Sequence, residues 1–325
     1  MKKVGIIGVG KYLPKKILTN FDLEKMVDTS DEWIIQRTGI KERRIASEDE
    51  ATSDLTTEAA RDALRDAGLL AEDIELIIVA TITPDMQFPS TACFVQEKIG
   101  AKKACCFDIS AACAGFVYGI VTANGFISQG IYRNALVIGA EKLSSITDWK
   151  DRNTCVLLGD GAGAVVLAEV NEGGILSSYL GSDGAQADLL YLPGGGSKNP
   201  ATYKTVRDRM HYLKMRGSEL FKVAVIKMAE SVQKALERAN LSCKDIDWLI
   251  PHQANMRILL ATAKRIGLSR KKIYLNIERY GNMSSASTAT ALCEAVREKK
   301  IKKGDIVVLD AFGGGLVWGA CVIRW

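Results

Sequence analysis

Two stretches of the chain, RDALRDAGLLAEDIELIIVA (residues 61–80) and QKALERANLSCKDIDWLIPH (residues 233–252), follow one pattern. Ala63, Leu64, Ala67, Leu69, Asp73 and Ile74 pair with Ala235, Leu236, Ala239, Leu241, Asp245 and Ile246. The offset is 172 residues, as Ala235 is from Ala63. Each copy reads as an amphipathic helix, a short loop and a buried strand. Two further matches follow in the same order: residues 134–140 with 305–311, and 163–167 with 319–323. Chance among apolar strands accounts for one such match, but three in order point to a duplication. The pattern predicts two homologous α/β halves, 1–171 and 172–325, meeting near 170–173.

Around this repeat, strands alternate with helices. Strands are predicted at 3–8, 76–80 and 104–108, with helices near 54–67 and 91–99. In the second half, strands are predicted at 247–250, 272–276 and 306–309. Segments 164–168 and 320–324 read as the last strand of each half. This is the pattern of α/β layers with mostly parallel strands. Residues 185–216 have no counterpart in the first half and carry Gly194, Gly195, Gly196 and several Lys and Arg. They are expected to form an insertion that caps a site.

With 325 residues, 47% apolar, the chain can bury one large core or two medium ones. A net charge of +5 is too small to argue for nucleic acid, though clustered basic residues would suit an acidic partner. The N-terminal apolar run stops at Lys11, too early for a secretion signal. No apolar run reaches the roughly 18 residues of a membrane span. The expectation is a soluble cytoplasmic protein. Eight Cys without a CxxC pair and only two His, His211 and His252, argue against zinc. The thiols are expected to stay reduced.

Several motifs invite a chemical reading. GIIGVGKYLP resembles a dinucleotide loop, but the third glycine position is Leu13 and Pro14 follows. It is therefore read as a strand ending in a turn. GDGAGA (159–164) runs into a strand and is likewise read as a turn. Cys113, in DISAACAGF, falls between a buried strand and a helix, where unpaired N–H groups and the helix dipole favour a thiolate. His252 follows a strand at its C-terminal end, the edge where open α/β sheets bind ligands, and Pro251 is expected to stop that strand. Asn282, in YGNMSSAS, precedes the matching helix of the second half. Gly313, Gly314 and Gly315 allow a close backbone approach, and an N–H from this loop suits an oxyanion.

Together these residues identify a family. SDEWIIQRTGIKERRIA, DISAACAGF, GDGAGAVVL, PHQAN, YGNMSSAS and DAFGGGLVWG, in that order, resemble the 3-oxoacyl-[acyl-carrier-protein] synthase III family, and the resemblance runs along the whole chain. It implies a thiolase-like fold: two pseudo-symmetric halves in five layers (αβαβα). It implies an acyltransferase that joins an acyl group from coenzyme A to a malonyl unit on acyl carrier protein, releasing CO2. Cys113 would carry the acyl group, and His252 and Asn282 would stabilise the malonyl enolate. The N–H groups of Cys113 and Gly314 would form the oxyanion hole. Trp33 and Arg152 match positions that hold the adenine. Arg37, Gly217, Phe221 and Asn255 match positions along the substrate tunnel. Phe88 matches a residue that reaches the acyl pocket of a second subunit, implying a homodimer. Gln253 and Arg257 match carrier-protein contacts, beside a basic stretch of Lys264, Arg265, Arg270, Lys271 and Lys272. No cofactor, metal, nucleic acid or membrane is implied; coenzyme A thioesters are substrates.

Related chemistries read less well. A Cys-His-His synthase needs a second His, and His211 lies in the insertion. A thiolase needs a late catalytic Cys, which DAFGGGLVWG lacks. A starter synthase of polyketide or other secondary metabolism, and a non-catalytic acyl-binding homologue, remain open. The preferred acyl primer is not legible.

Overall fold

The first predicted strand forms as β1 (Val4–Tyr12) in the computed structural model, which describes residues 2–325. It runs past the expected end at Gly8 and stops at Tyr12, so GIIGVGKYLP is a strand that ends before Leu13 and Pro14. The cause is packing. A Cβ on Gly8 would lie 2.6 Å from Ala67 Cβ, and one on Gly10 would lie 2.3 Å from Ala63 N. Glycine lets helix α1 (Thr52–Ala67) lie directly on the strand. The chain goes on through β2 (Leu76–Ala80), α2 (Thr91–Ile99), β3 (Cys105–Ile109), α3 (Gly115–Ser128), β4 (Asn134–Lys142) and β5 (Asp160–Glu169). GDGAGA is not a turn, since residues 160–164 open β5.

These strands form a sheet in the order β1-β5-β4-β2-β3. β2 runs parallel to β3 and β4, while β5 runs antiparallel to β1 and β4. A second sheet contains β6 (Gly174–Ser182), β7 (Trp248–Pro251), β8 (Ile306–Gly313) and β9 (Val317–Arg324), in the order β7-β8-β9-β6. Its directions repeat the first: β7 is parallel to β8, and β9 is antiparallel to β8 and β6.

One predicted strand is missing. Residues 272–276 contribute only an isolated parallel bridge between Ile273 and Leu249, at the place β3 holds beside β2. The buried Gln253 side chain takes up the backbone there. Its amide donates to the carbonyls of Pro251 and Tyr274, and its carbonyl accepts from Asn276 N. Pro251 is the last residue of β7 rather than a stop beyond it.

Helices α1 and α2 cover the outer face of the first sheet. Helices α4 (Gly217–Arg238) and α5 (Met256–Arg265) cover the outer face of the second. Helix α3 lies between the sheets with α6 (Ser285–Arg297), and the largest core joins both sheets through them. The five layers are helix, sheet, helix, sheet, helix. The central layer is tight because its residues are small. α6 begins SASTATA and is buried from Ser285 to Ala295. A Cβ on Gly163 would lie 2.6 Å from Ala289 Cβ, and one on Gly139 would lie 2.5 Å from the Ser285 carbonyl oxygen.

Such contacts make a test of the layer. Gly163→Val should lower stability by about 1–3 kcal/mol or more through overpacking. Gly125→Ala, in α3 with open space beyond its Cβ, should raise it by about 0.5–1 kcal/mol. Urea unfolding of both variants checks the two signs.

Candidate functional site

After β3 the chain enters a short 3-10 turn, Ala112–Ala114, and only then α3. Ala112 has a φ of 43°, so the turn is forced into an uncommon conformation. Cys113 sits on this turn and is buried. The glycine loop 313–315 presses against it: a Cβ on Gly313 would lie 2.6 Å from Cys113 N. Only glycine fits that approach.

His252 stands just past the end of β7. Its N–H donates to the Asp310 carbonyl at 2.7 Å, which extends the β7–β8 pairing by one step. The ring is buried, and its Nδ1 has no hydrogen-bond partner. Burial pushes the imidazole down to about 3, against a smaller opposing effect from the Ser284 backbone. The ring is therefore neutral at pH 7. Asn282 is fixed by its backbone, donating from N to Leu157 O at 2.8 Å and accepting from Gly159 N at 3.0 Å. Its Oδ1 accepts from Ser284 N at 2.8 Å. With the oxygen so occupied, Nδ2 is the end of the amide left to donate.

Cys113, His252, Asn282 and Gly314 line one cavity of about 900 Å³. Trp33, Arg37, Gly217, Phe221, Asn255 and Arg257 line it too. Leu190, Tyr191, Leu192, Leu213 and Met215 of the insertion form part of its wall. Asn255 caps α5 and donates from Nδ2 to Arg37 O at 3.1 Å, so it ties two parts of the wall together. The Arg257 guanidinium lies 5.6 Å from the Phe221 ring centroid.

Other expected residues lie elsewhere. Arg152 is not in the wall; it stacks 5.2 Å from the Trp33 ring centroid, with Arg37 at 5.7 Å. Phe88 is exposed and does not line this cavity. Gln253 does not sit on a carrier-protein surface: it is 1% exposed, and its amide serves the internal bonds described above.

The electrostatics also differ from the expectation at Cys113. Burial, the largest effect, pushes the thiol up to about 12, and Glu141 opposes ionisation further. No cationic side chain offsets them. The helix N-terminus does not by itself make this sulfur a thiolate, and α3 starts two residues beyond it.

Three further groups stand around the site that no sequence argument singled out. Asp310, in β8, is buried, held well above the usual carboxylate range by desolvation, and accepts from Ser231 Oγ at 2.9 Å. Glu141, in β4, is buried and pushed up to about 7, chiefly by desolvation. Ser284 has a φ of 47°. Ser284 lies within YGNMSSAS and Asp310 opens DAFGGGLVWG, while Glu141 is marked only as the carboxylate ending the apolar run ALVIGAE. Among the described residues, no cluster of His, Cys, Asp or Glu is placed to hold a metal. No helix among them is long and apolar enough to cross a membrane.

Known proteins resemble this chain in sequence and fold. A family model described as 3-oxoacyl-[acyl-carrier-protein] synthase III matches residues 107–184, and the model of its C-terminal part matches residues 236–325. A beta-ketoacyl-[acyl-carrier-protein] synthase III of Clostridioides difficile is 60% identical over 323 residues, covering 99% of this chain and 98% of that one. The crystal structure of 3-oxoacyl-[acyl-carrier-protein] synthase III from Aquifex aeolicus superposes with a TM-score of 0.93 at 50% identity, covering 99% of this chain and 100% of that one. The priming beta-ketosynthase of the R1128 polyketide pathway superposes with the same TM-score at 33% identity, covering 99% of this chain and 96% of that one. The chain belongs to the 3-oxoacyl-[acyl-carrier-protein] synthase III family.

Proposed function

We propose that this enzyme initiates fatty acid synthesis by condensing a short acyl-CoA with malonyl-acyl carrier protein. The products are 3-oxoacyl-acyl carrier protein, coenzyme A and CO2. The observation that carries the reading is the meeting of Cys113, His252 and Asn282 with Gly314 at one cavity. Identity near 60% to synthase III relatives, against 33% to the polyketide ketosynthase, supports fatty acid synthesis over a secondary pathway.

In the first half-reaction, Cys113 Sγ attacks the acyl thioester carbonyl. The oxyanion takes hydrogen bonds from the N–H groups of Cys113 and Gly314, and coenzyme A leaves. In the second, the malonyl thioester carbonyl lies against His252 and Asn282. A neutral imidazole and the Asn282 Nδ2 each donate to that oxygen. They stabilise the enolate as CO2 departs, and its carbon then attacks the acyl-Cys113 carbonyl. Neutrality suits this work, because a ring pushed down to about 3 keeps a single N–H across the physiological range. No cofactor is needed.

Trp33, Arg37, Gly217, Phe221 and Asn255 are assigned to the coenzyme A arm, with Arg152 acting by holding Trp33. Arg257 and the exposed Lys264 and Arg265 face an acidic carrier protein. We assign Phe88 to the acyl pocket of a second subunit in a homodimer. We read residues 1–171 and 172–325 as duplicated halves, supported by their shared strand order. We place the enzyme in the cytoplasm, where its thioester substrates are made.

Acetyl-CoA should acetylate Cys113, seen in peptide mass spectra. Unmodified Cys113 with every short acyl-CoA would overturn the reading. His252→Ala and Asn282→Ala should each slow malonyl decarboxylation by about 10²-fold or more.

Stability carries a separate prediction for His252. Below pH 6.5 the unfolded ring gains a proton that the folded ring refuses until about 3, so stability falls as pH drops through that window. Between pH 7 and 5 the wild type should lose on the order of 2 kcal/mol more than His252→Gln, measured by urea unfolding.

A further inference from the structure

Behind the wall that carries Asn282 lies a buried cation that the reaction above does not use. Arg43, on the short strand Glu42–Ile45, is fully buried. Its Nη1 donates to Asn20 Oδ1 at 2.9 Å and to the Leu18 carbonyl at 3.2 Å. Its Nη2 donates to the Val156 carbonyl at 2.7 Å. Asn20 is held in turn, its Nδ2 donating to Asp31 Oδ1 at 2.9 Å and to the Ile40 carbonyl at 2.8 Å. Among the described residues, the hydrogen bonds of the guanidinium thus go to neutral oxygens, and its Nε has no partner. Burial pushes it down to about 10, which leaves it charged at pH 7. A fully buried arginine without a paired carboxylate is costly, and such costs are tolerated where geometry serves function.

Arg43 stands where three segments cross. Residues 156–159 grip the Asn282 backbone from both sides: Leu157 O accepts from Asn282 N at 2.8 Å, and Gly159 N donates to Asn282 O at 3.0 Å. Leu158 and Asn282 form an isolated parallel bridge. The short helix ahead of Asn282, Ile277–Tyr280, is tied to the chain just before the Arg43 strand, where Lys41 N donates to the Glu278 carbonyl at 2.9 Å. The arginine stem fills the crossing. A Cβ on Gly159 would lie 3.0 Å from Arg43 Cβ and 2.6 Å from the Tyr280 carbonyl oxygen. A Cβ on Gly281 would lie 2.7 Å from the Leu157 carbonyl oxygen and 3.4 Å from Arg43 Cβ.

The cation does not act on a substrate directly. Val156, Leu157 and Leu158 line the cavity, and Arg43 does not. What it fixes is the carbonyl one residue before the one that takes the Asn282 N–H. A planar fork that binds Leu18, Asn20 and Val156 together sets the spacing between the outer strands and residues 156–159, which a lysine point charge on a flexible stem does not. Asn282 Oδ1 is already held by Ser284 N at 2.8 Å. The backbone position of Asn282 therefore decides where Nδ2 points. The Cys113 turn is braced by other contacts, the Gly313 backbone among them.

We propose that Arg43 is a positioning residue for malonyl decarboxylation: by joining Leu18, Asn20 and Val156 it holds residues 156–159 where they aim Asn282 Nδ2 at the thioester oxygen. The inference rests on Asn282 being one of the two donors to the enolate. Acylation of Cys113, whose oxyanion takes its hydrogen bonds from the N–H groups of Cys113 and Gly314, does not draw on this brace.

The test compares the two half-reactions in the full-length enzyme. Cys113 acetylation by acetyl-CoA is followed by intact-protein mass in a single turnover, and malonyl-acyl carrier protein decarboxylation by CO2 release. Arg43→Lys should slow decarboxylation by on the order of 10-fold or more, as a small misplacement of a catalytic group does. Acetylation should change less than about threefold. Arg43→Met should give the same split with a larger loss, and Arg43→Lys decides where the methionine variant does not fold. In an Asn282→Ala background, Arg43→Lys should slow decarboxylation by less than about twofold further, because residues that act through one group are not additive. A structural role would lower both half-reactions alike, or would add its full loss in the Asn282→Ala background, and either result overturns the inference. An Arg43→Lys enzyme with wild-type decarboxylation overturns it too. Wild-type decarboxylation that Asn282→Ala leaves unchanged sinks the underlying reading of Asn282 instead.

Discussion

The backbone of Gly313 touches the backbone of Cys113, and much of the molecule is arranged to allow that contact. Each sheet sends a chain segment into the central layer, one ahead of α3 and one ahead of α6. The two meet only if the helices lie almost on the strands. Gly139 beneath Ser285, Gly163 beneath Ala289 and the Ser-Ala-Thr face of α6 make that approach possible. Larger residues anywhere along this line would separate the sheets and draw Gly314 away from Cys113. The site is therefore a product of close packing in the middle of the protein, not of a surface loop. That suits the proposed chemistry, since hydrogen bonds to a developing oxyanion weaken steeply with distance and misalignment.

How much of this was legible follows from what each residue type signals locally. The α/β alternation was legible because apolar periodicity survives in both parts of the chain, and the two sheets share a strand order. Cys113 and His252 stood out because small or polar residues follow an apolar strand, and with Asn282 they line one cavity. The glycines of GDGAGA misled, because a glycine that admits a helix against a strand looks, in one dimension, like a glycine that turns the chain. Residues 272–276 misled in the opposite way. Their alternation is that of a strand, but the Gln253 side chain takes the bonds a neighbouring strand would supply. Gln253 was expected on a carrier-protein surface only from the family resemblance, and the fold buries it instead. Glu141 and Asp310 gave the weakest signal of all, since each is one polar residue at the end of an apolar strand. Their importance lies in neighbours brought from distant parts of the chain.

Charge is sorted by depth in the cavity. Arg37 and Arg257 line its outer part, where a nucleotide or an acidic carrier protein arrives. At the base stand a protonated thiol, a neutral imidazole and an amide. The arrangement has a consequence for decarboxylation. A cation at the base would bind the malonyl carboxylate more tightly than the transition state, in which that charge is leaving, and would slow the loss of CO2. Neutral donors aimed at the thioester carbonyl favour the enolate without rewarding the carboxylate. The same lack of a cation leaves the Cys113 thiol with nothing to stabilise its ionised form. A site that excludes cations for the sake of the second half-reaction must therefore handle the thiol proton in the first by some other means.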